Sequence, residues 1–362
     1  MRALLVHPPQ PGVRLGDTPD PTPGPSELLV RVRECGVCGT DRDIVSGLYG
    51  RPPSGRDELI LGHENLGVVE AVGPSVQGFA VGDLVVATVR RSCGICRFCL
   101  AGRSDFCESG KFTERGIGGA DGYFAEKYAE HPEYVVRVPP ELSKIGVLLE
   151  PLSVVEKALD EGTVVLGRRE PTVGYPPEHA PSALVAGTGA VGLLAAFCLR
   201  ARGWDVTAVD RHDGSPTADL LGRIGARHLN VAGGWDAVGE RQFDLALEAT
   251  GSADLDVRLL PTLRPNGVVV LTGIPPANGG TIPVALGALL RDLVLENQAI
   301  VGSVNANRSY FERGVQDLAT FREKFGDAID RLIGERRPWT EFAKVLLDRP
   351  SGAPKSVLVV SS

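Results

Sequence analysis

The stretch Ala183–Gly192 constrains the fold more than any other. Four apolar residues, Ala183–Ala186, run into Gly187-Thr188-Gly189-Ala190-Val191-Gly192 and then into an apolar helical pattern ending near Arg202. An extended run, a glycine turn and a helix, in that order, open a βαβ unit. The first glycine makes the tight turn, the second lets backbone approach a pyrophosphate, and the third lets helix pack on strand. N–H groups at the helix start then face the pyrophosphate. An acid, Asp210, closes the next strand 23 positions after Gly187, where a carboxylate accepts from adenosine ribose hydroxyls. Dinucleotide binding by Gly187, Thr188, Gly189, Ala190, Val191, Gly192 and Asp210 is therefore expected. Arg211 and His212 follow directly. Cations there can hold a 2′-phosphate that Asp210 would repel, or they can be a solvated loop pair, so NAD is favoured over NADP only narrowly.

From Ser182 onward, strand and helix patterns alternate: Val191–Arg202, Val206–Val209, Ala218–Ile224, Leu245–Glu248 and Val268–Thr272. Such alternation implies an α/β fold with a doubly wound parallel sheet. Before it, from Arg2 to about Pro140, short β-type runs (Leu28–Arg33, Leu66–Ala71, Leu84–Val89, Tyr134–Val138) are separated by glycine and proline clusters. At 362 residues, two domains are expected. Thr163–Pro181, with Pro171, Pro176, Pro177 and Pro181, reads as a loop insertion. After a strand candidate at Ala299–Val304, helical patterns at Tyr310–Phe325 and Ala328–Gly334 and a closing strand at Ser356–Val360 should rejoin the first domain.

Net charge is −7, with no basic cluster beyond Arg90-Arg91 and Arg336-Arg337, which disfavours nucleic acid and membrane surfaces as partners. The apolar run Ala183–Leu199 approaches membrane-span length, but its glycines divide it into strand, turn and helix. Met1–His7 has no signal-peptide pattern, so a cytoplasmic protein is expected.

Four of the seven cysteines, Cys93, Cys96, Cys99 and Cys107, fall within fifteen residues, separated by two, two and seven others. Thiolates so spaced can close a tetrahedral zinc shell with no open position, a structural site. An iron–sulfur cluster and unmetallated thiols are the alternatives; Glu108, not proline, follows Cys107, and only one such run exists. Cys35 and Cys198 read as buried filler. Cys35-Gly-Val-Cys38 is a second C-x-x-C but lacks a thioredoxin-like context. Leu61-Gly62-His63-Glu64 places an imidazole beside a carboxylate, and Glu150-Pro151 puts another carboxylate at the start of the helical run Leu152–Leu159. Each alone can be a buried filler, a satisfied histidine or a solvated helix start. Together, a thiolate, an imidazole and a carboxylate make an open zinc site with one position left for water or substrate.

With these motifs in order, the chain resembles the zinc-dependent medium-chain dehydrogenase/reductase superfamily, and most of all its archaeal-type glucose 1-dehydrogenase branch, over essentially its whole length. The residues carrying the resemblance are Gly36–Arg42, Leu61–Glu64, the four-cysteine lobe through Glu108, Phe112–Ile117, Glu150–Ser153 and Gly302–Asn305. It implies a GroES-like β-rich catalytic domain over 1–157 and 305–362 and a Rossmann domain over 158–304. It also implies that Cys38, His63 and Glu150 ligate the catalytic zinc, and that Glu64 either ligates it or supports a ligand. Two zinc ions per chain follow. By the same resemblance Thr40 shuttles the substrate proton, Glu114 and Asn305 contact sugar, and Thr272, Gly273, Ile274, Ser303, Val304 and Asn305 lie around the nicotinamide. Glu114 could instead only pair with Arg115, and Asn305 only end a strand. Ala299–Val304 resembles the edge strand through which the superfamily's sheets pair, which implies a homo-oligomer, dimer or tetramer.

The implied activity is oxidation of an aldose at C1 to its lactone by hydride transfer to NAD(P). Val89 and Val154 stand where some glucose-oxidising relatives have Asn and Asp, which leaves fewer polar contacts for sugar hydroxyls. A dehydrogenase of another polyol, cyclitol or secondary alcohol is therefore the alternative. A non-catalytic dinucleotide-binding protein is a more distant one.

Overall fold

The computed structural model describes residues 1–169, 180–211, 216–239, 242–276, 282–348 and 353–361. It comprises two compact units: Met1–Ser153 with Asn305–Ala319 and Ile333–Ser362, and Val154–Val304 with Thr320–Leu332. Thr320–Leu332 thus departs from the expected division at residue 305. The reason is aromatic packing: Phe321 lies tilted and Phe325 edge-on against Phe197 of the second unit, with ring centroids 5.4 and 5.6 Å apart.

In the first unit, the strand Leu28–Val37 organises a seven-stranded sheet. Leu28, Val30 and Val32 alternate inward and are fully buried, the period expected of a strand with one face on a core. Glu64–Val72 pairs antiparallel with one edge of this strand and Lys355–Val359 antiparallel with its other edge, so Gly36 lies opposite Glu64 and Val37 opposite Ser356. A side chain at Gly36 could not be accommodated, since a Cβ there would come within 1.9 Å of Glu64 Oε2. Sheet pairing therefore brings the first, second and last parts of the unit to one place. The core beneath includes Tyr123, Phe124, Ile44, Leu59 and Leu358.

The second unit is a six-stranded parallel sheet in the order Arg227–Asn230, Asp205–Asp210, Ser182–Ala186, Phe243–Glu248, Leu263–Leu271, Ala299–Gly302. Phe243–Glu248 is buried along its whole length, as a central parallel strand covered on both faces must be. The order reverses beside Ser182–Ala186, and a ligand crevice is expected outside the carboxyl ends of the strands at such a reversal.

Two local expectations change. The helix that was to span Leu152–Leu159 runs from Leu149 to Gly167, overriding the front of the loop read at Thr163–Pro181. Residues 170–179 of that loop lie outside the described residues. Ala328–Gly334 is not a full helix: a 3-10 turn, Gly326–Leu332, gives way at Ile333 to the strand Ile333–Pro338, because Ile333–Pro338 pairs with Lys355–Val359. The helix Leu286–Leu295 carried no expectation from the sequence.

Candidate functional site

Cys38 precedes the helix Gly39–Val45 with extended backbone, and its N–H is capped by Asp41 Oδ2 at 2.8 Å. The cap fixes Asp41, whose other oxygen lies 3.2 Å from His63 Nδ1, with both side chains buried. A proton on Nδ1 facing this carboxylate leaves His63 Nε2 with its lone pair for a metal, the usual support of a ligating histidine. One donor atom each of Cys38, His63 and Glu64 lies within 4.8 Å of the others. Thr40 Oγ1 is 3.9 Å from Cys38 Sγ and half-buried.

Glu64 is fully engaged elsewhere. Lys355 Nζ donates to its two oxygens at 2.5 and 2.7 Å and to the Val37 carbonyl at 3.2 Å. The ion pair is buried, and burial alone would depress the lysine, but Glu64 outweighs this and holds Lys355 above its ordinary pKa. Glu64 is therefore a compensated anion beside Cys38 and His63. Glu150, at the start of the helix Leu149–Gly167, lies outside the tight cluster but is electrostatically coupled to it. Burial is the main cause that pushes its carboxyl up to about 7; His63 and Lys355 oppose the shift, while Glu64 and Asp41 add to it. For His63, burial would lower the pKa, but Asp41 and Cys38 raise it well above the ordinary value. A thiol and an imidazole, with the buried Glu150 carboxyl nearby, make a donor set that suits a divalent cation.

Glu114 does not pair with Arg115, which instead binds Glu130. It pairs with Arg90 at 2.9 Å, and Asn305 Nδ2 reaches the same carboxylate at 2.6 Å. Asn305 lies three residues beyond its strand's end at Gly302 and adopts φ 59°, a left-handed conformation that asparagine tolerates.

The four lobe cysteines converge, with Sγ atoms within 4.8 Å of one another. Backbone N–H groups of Cys96, Cys99 and Cys93 point at Cys93, Cys96 and Cys99 sulfurs respectively, each at 3.4 Å, which favours the thiolate at Cys93 and Cys96, while burial outweighs these bonds at Cys99 and pushes it up to about 11. Hydrogen bonding by Ser109 and by backbone N–H groups pushes Cys93 down to about 5. Cys35 and Cys198 are buried, and their thiols donate to the Tyr123 carbonyl and to Glu156 Oε1.

In the second unit, Gly187 turns the chain at φ 104°, and a Cβ at Gly192 would meet the Gly187 carbonyl oxygen at 1.9 Å. Gly189 faces open space. Asp210 receives the Thr188 hydroxyl on one oxygen and contacts His228 Nε2 on the other at 3.0 Å. Arg211 is exposed, and His212 lies outside the described residues. Thr272 and Ser303 follow neighbouring strands; their N–H groups donate to the Glu248 and Leu271 carbonyls. Gly273 is half-buried, Ile274 and Val304 are exposed, and Ser303 is buried.

Sequence reasoning gave no role to Asp41, Lys355, Arg90 or His228. Only Asp41 left a local signal, an acid three positions after the residue that begins a helix.

Two family models match the chain: "Alcohol dehydrogenase GroES-like domain" over residues 24–140 and "Glucose dehydrogenase C-terminus" over 143–359. The glucose 1-dehydrogenase of Thermoproteus tenax is 44% identical over 347 residues, covering 94% of each chain. That of Methanocella arvoryzae is 41% identical over 342 residues, 93% of each. The structure of Haloferax mediterranei glucose dehydrogenase in complex with NADP, Zn and gluconolactone matches with a TM-score of 0.88 at 32% identity, over 100% of both chains. Matches that together run through both units establish that the chain belongs to the glucose dehydrogenase family of the zinc-dependent medium-chain dehydrogenases.

Proposed function

We propose that the chain oxidises an aldose at C1 to its lactone, using zinc and NAD(P)⁺. The observation that carries this reading is the half-buried Cys38 beside the buried His63, with Asp41 on His63 Nδ1 and the buried Glu150 carboxyl pushed up to about 7 mainly by burial. Its donor set suits zinc, with Cys38, His63 and Glu150 as ligands and Glu64, held by Lys355, as a neighbouring charge. When bound, zinc supplies Lewis acidity toward the substrate hydroxyl, and the nicotinamide ring accepts hydride.

The chain's own residues do the rest. Thr40 accepts the hydroxyl proton and relays it outward. Glu114 and Asn305 accept from and donate to sugar hydroxyls. N–H groups after Gly187 and at the helix start through Thr188, Gly189, Ala190, Val191 and Gly192 cradle the pyrophosphate. Asp210 binds adenosine ribose, with Arg211 and His212 the candidates for a 2′-phosphate. Thr272, Gly273, Ile274, Ser303, Val304 and Asn305 surround the nicotinamide. Cys93, Cys96, Cys99 and Cys107 hold a second, structural zinc, so two ions per chain are expected.

We assign the zinc-carrying domain to 1–157 and 305–362 and the Rossmann domain to 158–304; the compact units differ in grouping 154–157 and Thr320–Leu332 with the latter. A homo-oligomer formed through Ala299–Gly302 is supported by exposed Leu286, Leu290, Val294, Leu295 and Ile300 along that edge. No helix among the described residues is long and apolar enough to cross a membrane, and a cytoplasmic location is our reading.

A second reading, oxidation of another polyol, cyclitol or secondary alcohol, is favoured by Val89, which is buried and apolar. The test is a panel of D-glucose, D-galactose, D-xylose, polyols and simple alcohols, followed by NADH and NADPH absorbance in parallel. Preferred aldose turnover supports the first reading; turnover confined to non-aldoses transfers it to the second. An inert protein with both zinc ions bound would contradict both.

A further inference from the structure

We propose that Arg90 is a positioning residue for aldose recognition, which aims the Glu114 carboxylate and ties it to the four-cysteine lobe. The inference rests on the reading of Glu114 as a sugar contact. Three donors converge on one oxygen, Glu114 Oε1: Arg90 Nε at 3.1 Å, Arg90 Nη2 at 2.9 Å and Asn305 Nδ2 at 2.6 Å. Among the described residues no hydrogen bond reaches Oε2. A carboxylate with one oxygen saturated and the other open is a directed acceptor, with its rotation about the side chain fixed by three bonds.

Arg90 is itself locked. Its remaining terminal nitrogen, Nη1, donates to the Asp105 carbonyl at 3.0 Å, and its guanidinium lies 3.9 Å over the centroid of the Phe112 ring. Asp105 lies in the turn Ser104–Phe106, just before Cys107. The Asp105 carboxylate accepts from Asn307 Nδ2 at 3.0 Å. The loop after Gly302 therefore grips both ends of the clamp, Asn305 at Glu114 and Asn307 at Asp105, with the guanidinium between them. Backbone pairing adds to this, because Arg90 and Glu114 are cross-strand partners. All three guanidinium nitrogens are used, a geometry that a lysine ammonium cannot reproduce. Only 8% of the Arg90 side chain is exposed, so the pair is little screened by water.

Binding interactions with hydroxyls remote from the reacting carbon are made in ground and transition states alike, so losing their alignment raises KM and spares kcat. The test uses the zinc-loaded full chain and four variants: Arg90→Gln, Arg90→Lys, Glu114→Gln and Arg90→Gln/Glu114→Gln. Each is read for kcat and KM with the aldose, KM for the cofactor, zinc per chain and melting temperature. Arg90→Gln should raise the aldose KM by about 10-fold or more, the scale of a lost charged hydrogen bond, with kcat within about 3-fold. Cofactor KM and zinc content should stay at wild-type values. The double variant should be no worse than the worse single one, as for two residues acting through one interaction. Arg90→Lys keeps the charge and should fall between wild type and Arg90→Gln, which preserves the test if Arg90→Gln folds poorly.

Multiplying effects in the double variant, an unchanged KM in Arg90→Lys, or a fall in kcat and zinc with KM unchanged would each overturn the positioning role. A Glu114→Gln effect without an Arg90→Gln effect would overturn this inference alone. An unchanged aldose KM in Glu114→Gln would overturn the sugar-contact reading and the inference with it.

Discussion

Asp41 joins two functions at one carboxylate: it caps the N–H of Cys38 and faces Nδ1 of His63. Two candidate metal ligands are thus oriented by a residue that is not one of them. Asp41→Asn should weaken zinc retention at the Cys38 site by about 10–100-fold, the usual cost of losing such support, while the lobe zinc is kept. Competition with a chromophoric chelator, read as one labile and one retained zinc per chain, checks this. Glu130 illustrates a different residue-scale effect. It binds Arg91, Arg115 Nη2 at 2.9 Å and the His131 N–H at 3.0 Å. Burial alone would raise its pKa, but the two arginines outweigh burial and hold it below the ordinary 4.5. Because the folded value is depressed, its stabilisation is present above the unfolded value and lost as pH falls through the folded one. Glu130→Gln should therefore flatten the acid limb of the stability curve below 4.5, as measured by urea denaturation at stepped pH.

At the scale of elements, the four-cysteine lobe has little regular structure of its own: a four-residue helix, Arg97–Leu100, and the turn Ser104–Phe106. The proposed structural zinc would hold such a segment, since metal binding there would be folding free energy. Cys107→Ser should reduce zinc from about two ions to one per chain and lower the melting temperature. It should also raise the aldose KM, because Asp105 anchors Arg90. Elemental analysis and scanning calorimetry on one sample decide the first two; steady-state kinetics decides the third. Elements were legible where they carried their own period or glycine signature, as in Ser182–Ala186 followed by Ala190–Ala201. Leu286–Leu295 carries the helical period too, at Leu286, Leu289, Leu290 and Leu293, yet none of its residues is buried, so no core contact accompanies the pattern. Ile333–Pro338 was not read as a strand, and its first two residues were taken into the helical pattern Ala328–Gly334, because its charged Glu335, Arg336 and Arg337 hide a strand formed by pairing with Lys355–Val359.

For the whole molecule, the candidate site was readable to the extent that its parts are contiguous in sequence. The glycine turn and the cysteine lobe are local, so spacing alone exposes them. Cys38, His63 and Glu150 needed family resemblance, because they lie on separate segments. Lys355 was invisible: it stands 291 residues from Glu64, and only the pairing of the strands Leu28–Val37 with Glu64–Val72 and Lys355–Val359 brings them together. The same holds for Glu114 with Asn305 and for Asp210 with His228, whose meaning arises from loop and strand adjacency. The central claim, hydride transfer from C1 of an aldose, is tested most directly with D-glucose deuterated at C1, or the best aldose of the panel deuterated there. Mass spectrometry of the reduced cofactor and of the sugar product provides the readout. The account predicts one deuterium per reduced nicotinamide and a lactone product without deuterium at C1. Reduced cofactor free of deuterium, or a product oxidised at any other carbon, would contradict it.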